Sequence, residues 1–156
     1  MLYLRLAIGV VFIVLCTKIG KNKGNKYKNC CDFYESCLSF CNAFKSDLLY
    51  KKSKLEDFLK LQYLSLDFKE MLENYLINQE IDCNFEYLTN EEMCEVYNFL
   101  SALGKTDTLS QIEVVDAYKN KFNIKLNEKK SEFKKYYTLT TKLGFVIGLG
   151  FMIMVI

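Results

Sequence analysis

Apolar side chains recur at helical spacing through the middle of the chain and fuse into unbroken runs at either end. Phe68, Met71, Leu72, Tyr75 and Leu76 fall at i, i+3, i+4, i+7 and i+8, the stripe that an amphipathic helix turns toward a core. Cys30, Tyr34, Cys37, Cys41, Phe44 and Leu48 repeat at spacings of 4, 3, 4, 3 and 4, the a/d seam of a heptad. Leu109, Ile112, Val115, Tyr118, Phe122, Leu126 and Phe133 line one side of a further segment, with lysines and acids opposite, and read as its core face. These patterns predict helices over about 28–50, 54–64, 67–79, 90–103 and 107–135, the last able to continue into the C-terminal run. Ser53 with Glu56, Thr89 with Glu92 and Thr108 with Gln111 have the spacing of a capping box, in which two side chains satisfy orphan N–H groups of a first turn. The Asn-rich stretch 78–90 reads as a loop or a short extra turn.

The N-terminal run MLYLRLAIGVVFIVLCT carries one charge, Arg5, in 17 residues. At about 1.5 Å per residue it falls a little short of the ~30 Å hydrocarbon core and spans it if Arg5 snorkels outward. The C-terminal run, Leu143 to Ile156, is shorter at 14 residues, and Tyr136, Tyr137 and the threonines that follow can extend it through the interface. Lys18, Lys21, Lys23, Lys26 and Lys28 follow the first run, and Lys129, Lys130, Lys134, Lys135 and Lys142 precede the second. Both clusters border the middle segment, so the positive-inside bias assigns that segment to the cytoplasm. The expected organisation is all-α: an N-terminal transmembrane anchor at 1–19, a cytoplasmic helical bundle at 20–135, and a C-terminal transmembrane anchor at 136–156.

Composition narrows the chemistry. Histidine and proline are both absent, which removes the commonest general base and metal ligand and permits long unbroken helices. No nucleophile, base and orienting partner can be assembled in any obvious way, so the chain is not expected to be an enzyme and no cofactor is called for. With 21 Lys+Arg against 19 Asp+Glu, the whole chain has no strongly basic footprint for a nucleic acid; proteins or lipid are the expected partners.

The seven cysteines are many for a reduced compartment, and four of them crowd into residues 30–41. On a helix Cys30 lies about 10 Å along the axis from Cys37, so only Cys37 and Cys41 share a face within reach of one ion. The heptad reading makes these thiols small buried hydrophobes. A signal peptide in place of the first anchor would leave six cysteines outside the cell and describe a secreted or surface cysteine-rich interaction module. No small-residue cleavage site follows the run, and Leu15 precedes Cys16 where a lipoprotein needs a small residue.

Gly104-Lys105-Thr106 has the ending of a phosphate-binding loop, but that motif requires a glycine where this chain has Phe99, and it follows a strand. A left-handed Gly104 closing one helix, with Thr106, Asp107 or Thr108 capping the next, accounts for the string. Gly144 and Gly148 are four apart in the C-terminal run, a spacing that lets two membrane helices approach closely.

The order of these features resembles the stage III sporulation protein AB family of endospore-forming Firmicutes. The resemblance rests on LAIGVVFIVLCTKIG, DLLYKKSKLED, the helix-turn-helix FLSALGKTDTLSQ and the ending YTLTTKLGFVIGLG. The third segment is the most specific, with Leu103, Gly104, Asp107 and Gln111 in the family pattern. The family's usual proline near Lys54 and longer middle are absent, and the 30–41 cysteines are not a family feature. The resemblance implies a non-enzymatic subunit of a channel or secretion-like apparatus in the mother-cell membrane around the forespore. Its soluble domain would be similar to the type II secretion inner-membrane platform protein. The implied partners are other stage III sporulation membrane proteins, their cytoplasmic ATPase, membrane lipid and a second copy of the chain. Gly104, Asp107 and Gln111 on the exposed turn are the candidate partner contacts, and helix capping is the alternative role for them.

Overall fold

The computed structural model describes residues 2–51, 53–79 and 84–155, and within 2–23 and 140–155 only some of the side chains. Four helices, α1 (Leu2–Tyr50), α2 (Leu66–Asn78), α3 (Asn90–Ala102) and α4 (Thr108–Val155), are joined by a 3₁₀ turn at Leu55–Lys60 and short loops. No strand occurs among the described residues, in agreement with the all-α expectation. The chain forms two compact units, one of residues 29–128 and one of residues 1–28 with 129–156.

Residues 29–128 hold an aromatic core. Cys30, Tyr34, Cys37, Cys41 and Phe44 are buried as the heptad predicts. Phe33, Ser36 and Phe40, on the adjoining stripe, are buried as well, so α1 is enclosed on two faces and not along one seam. Phe40 is the hub: its ring lies 5.3 Å from Phe58 of the 3₁₀ turn, 5.4 Å from Phe68 of α2 and 5.9 Å from Phe99 of α3. Phe122 of α4 closes the cluster at 5.4 Å from Phe99 and 6.1 Å from Tyr34. Such rings gain about 1 kcal/mol per pair beyond the area they bury.

The helix starts are set by local hydrogen bonds. Thr89 and Glu92 form the predicted capping box, with Glu92 N–H donating to Thr89 Oγ1 (3.2 Å) and Thr89 N–H to Glu92 Oε2 (2.9 Å). The other two boxes do not form. Asp47 near the end of α1 takes Ser53, accepting from its N–H and its hydroxyl at 2.6 Å each, so the helix expected at 54–64 shrinks to the uncapped 3₁₀ turn. Asp107, not Thr108, caps α4: its carboxylate accepts the N–H groups of Leu109 and Ser110 at 3.2 Å. Ser65, not marked by the sequence pattern, caps α2 through Phe68 N–H. Its own N–H donates to buried Ser36 Oγ at 2.8 Å, which ties the start of α2 to α1.

In the other unit the Tyr27 and Tyr136 rings stack at 5.0 Å with 9° between their planes. A Cβ at Gly24 would stand 3.2 Å from the Tyr137 ring, so this glycine permits α1 and α4 to approach. No helix among the described residues is long and apolar enough to cross a membrane. The apolar runs do form the outer ends of α1 and α4, but most of their side chains lie outside the described residues. The two flanking transmembrane anchors expected from the sequence are therefore not supported by the structure, and membrane attachment belongs to the proposal below.

Candidate functional site

The turn between α3 and α4 is held by a buried glutamine. Gln111, 1 % exposed, points back into the turn, where its Oε1 accepts from Gly104 N–H at 2.8 Å and its Nε2 donates to Ala102 carbonyl at 3.4 Å. One side chain thereby answers both a carbonyl left over at the end of α3 and the amide beyond it. Gly104 has φ +75°, a left-handed conformation that favours glycine, as the sequence predicts. Nothing lies within 4 Å of where its Cβ would be, so the requirement there is conformational and not steric. Asp107 is exposed, and the Ser110 hydroxyl, then the Ser110 amide, hold its carboxyl below the usual value.

The three turn residues thus divide by geometry. Gly104 and Asp107 are at the surface, whereas Gln111 is inside and reaches a partner only through the turn it shapes. A hollow between Gly104 and the end of α1 is a second feature of this place. A cavity of about 310 Å³ is lined by Phe44, Leu48, Leu55, Leu103, Gly104 and Thr108 among others. A second one of about 560 Å³, which shares Asp47 and Ser53 with it, opens beside Ala43, Tyr50, Phe58 and Leu61. Leu109 and Tyr50 stand at this end of the domain with exposures of 75 % and 82 %. Leu109 was expected on the core face of α4; it precedes the first buried turn of that helix and faces solvent instead.

A chain that presents a shaped turn, two adjoining apolar hollows and exposed Leu109 and Tyr50 has the makings of a protein-docking surface. A family model for stage III sporulation protein AB matches residues 5–156. The chain belongs to the stage III sporulation protein AB family. Membership places it in sporulation, as the resemblance of its turn and its ends implied. No curated protein and no solved structure matches the chain.

The cysteines take no part in this surface. Cys30, Cys31, Cys37 and Cys41 are buried on α1, and burial pushes the Cys41 thiol up to about 12 and Cys37 well above its ordinary value. Such protonated thiols are poor nucleophiles and poor ligands. Among the described residues no group of three His, Cys, Asp or Glu could hold a metal ion. Cys94 on α3 is exposed, and Cys83 lies outside the described residues. Gly144 and Gly148 are on α4, but their surroundings are also outside the described residues.

Sequence reasoning missed the hollows because they are built from the end of α1, the 51–55 link and the α3–α4 turn, which are far apart in the chain. It also placed Gln111 at the surface. The available signal was its position four residues before Val115 and eleven before Phe122, on the same stripe as those core residues.

Proposed function

We propose that this member of the family is a non-enzymatic membrane platform of the mother cell–forespore channel complex. Residues 1–19 and 136–156 anchor it in the mother-cell membrane, and the helical domain between them stands in the cytoplasm and docks the complex's ATPase. The family match over residues 5–156 carries this reading. The lysine clusters beside both apolar runs support the orientation. The hollow beside Leu48, Leu55, Leu103 and Gly104, with exposed Leu109 next to its Thr108 and exposed Tyr50 on the adjoining hollow, is the surface we assign to the ATPase or to a neighbouring subunit.

The test replaces Tyr50 and Leu109 by lysine, since both are more than 70 % exposed and neither supports the core. The doubly substituted chain keeps its helix content and membrane fraction but loses copurification with the ATPase by about tenfold or more, as expected when apolar anchors at an interface centre are removed. Heat-resistant spore counts fall with it. Undiminished copurification and sporulation would remove this surface from the account.

A further inference from the structure

The near-neutral total charge conceals a strong segregation between the two units. Residues 29–128 hold ten lysines against eighteen acids, whereas residues 1–28 and 129–156 together hold eleven basic residues against a single acid, Glu132. Within this second unit the stacking of Tyr27 on Tyr136 and the approach of Gly24 to Tyr137 pin α1 against α4 at one level. Lys26 and Lys28 flank Tyr27, and Lys134 and Lys135 precede Tyr136, so four exposed lysines from two helices stand at the level of one aromatic pair. No described ion pair involves any of the four. Basic residues that outnumber acids at one level beside apolar runs attract anions to that level.

We infer that this collar binds the phosphate headgroups of anionic phospholipids. Two observations select lipid over other anions. The same unit carries both apolar runs, so headgroup phosphates arrive tethered to a phase that those runs favour. Tyr136 and Tyr137 are 44 % and 41 % exposed, presenting the half-apolar, half-polar surface that suits the headgroup level. The inference rests on the membrane anchoring proposed above and adds to it a lipid class and four residues.

The full chain is reconstituted into vesicles of equal phosphatidylglycerol and phosphatidylcholine, floated on a density gradient, extracted in a mild non-ionic detergent, and assayed for the phospholipid that copurifies. The wild type retains phosphatidylglycerol in an excess of about fivefold, the order expected when one favourable lysine contact per bound lipid is worth ~1 kcal/mol. The quadruple variant Lys26→Gln, Lys28→Gln, Lys134→Gln, Lys135→Gln floats equally well and retains the two lipids near parity. Parity in the wild type, or an undiminished excess in the variant, overturns the inference and leaves the anchoring intact. A wild-type chain that does not float with the vesicles overturns the anchoring itself.

Discussion

Removing the Gln111 side chain is the sharpest perturbation of the turn on which the proposed docking surface depends. In Gln111→Ala the amide of Gly104 and the carbonyl of Ala102 each lose a partner, and the buried glutamine leaves a void in a position only 1 % exposed. Two neutral hydrogen bonds contribute about 1 kcal/mol each. Truncating a buried chain by four heavy atoms adds about 1 kcal/mol more, because the surroundings collapse only in part. Gly104 is exposed, so water can reach its amide and recover part of the first loss. The net expectation is a destabilisation of about 2 kcal/mol, which for a unit of this size lowers the melting temperature by about 10 °C. Gln111→Glu separates the two bonds: it keeps the acceptor for Gly104 N–H but sets an oxygen against the Ala102 carbonyl, and so should also destabilise. Thermal melts followed by circular dichroism give the magnitude, and amide exchange at Gly104 gives the place. A melting temperature within 2 °C of wild type for Gln111→Ala would refute the assignment of this residue as the turn's internal support.

Tyr34 offers the opposite sign, because its hydroxyl is fully buried with no hydrogen-bond partner among the described residues and burial raises its pKa. Tyr34→Phe removes that orphan and keeps the ring against Phe122, so calorimetry should find stability unchanged or raised by about 1 kcal/mol. Thr89→Ala breaks a complete capping box and should cost about 1 kcal/mol by urea denaturation. Cys41 keeps its proton to about 12 in the fold and releases it near 9.0 when unfolded. The folded state therefore binds more protons in that window, and stability, intact below pH 9, should fall as the pH rises toward 12. Native alkylation read by mass spectrometry should modify exposed Cys94 and spare Cys37 and Cys41 until urea is added.

What the sequence made legible depended on how local the cause was. The stripe Phe68, Met71, Leu72 and the box Thr89–Glu92 contain their own explanation within one or two turns, and α2 and α3 stand within a residue of their expected bounds. Ser53 does not cap because the Asp47 carboxylate engages its N–H and hydroxyl and leaves the 3₁₀ turn uncapped, and Thr108 does not because the Asp107 carboxylate takes that role for α4. Phe33 and Phe40 were not read as core because a heptad seam describes one contact face, whereas α1 is surrounded by the 3₁₀ turn, α2, α3 and α4. Gly104 was read correctly from its place after a helix, since its left-handed φ is a backbone property. The partner-binding role of Gly104 and Asp107 is a different kind of statement: both are exposed, and their contacts depend on a second molecule.

The proposed topology puts residues 29–128 on the cytoplasmic side of the mother-cell membrane. Cys94 is exposed on α3 and suits a direct measurement in a chain carrying Cys16→Ser and Cys83→Ser, treated in intact protoplasts with a membrane-impermeant maleimide. Cys94 should be modified only after the membrane is permeabilised. Modification in intact protoplasts would place the domain outside the cytoplasm and contradict the platform reading.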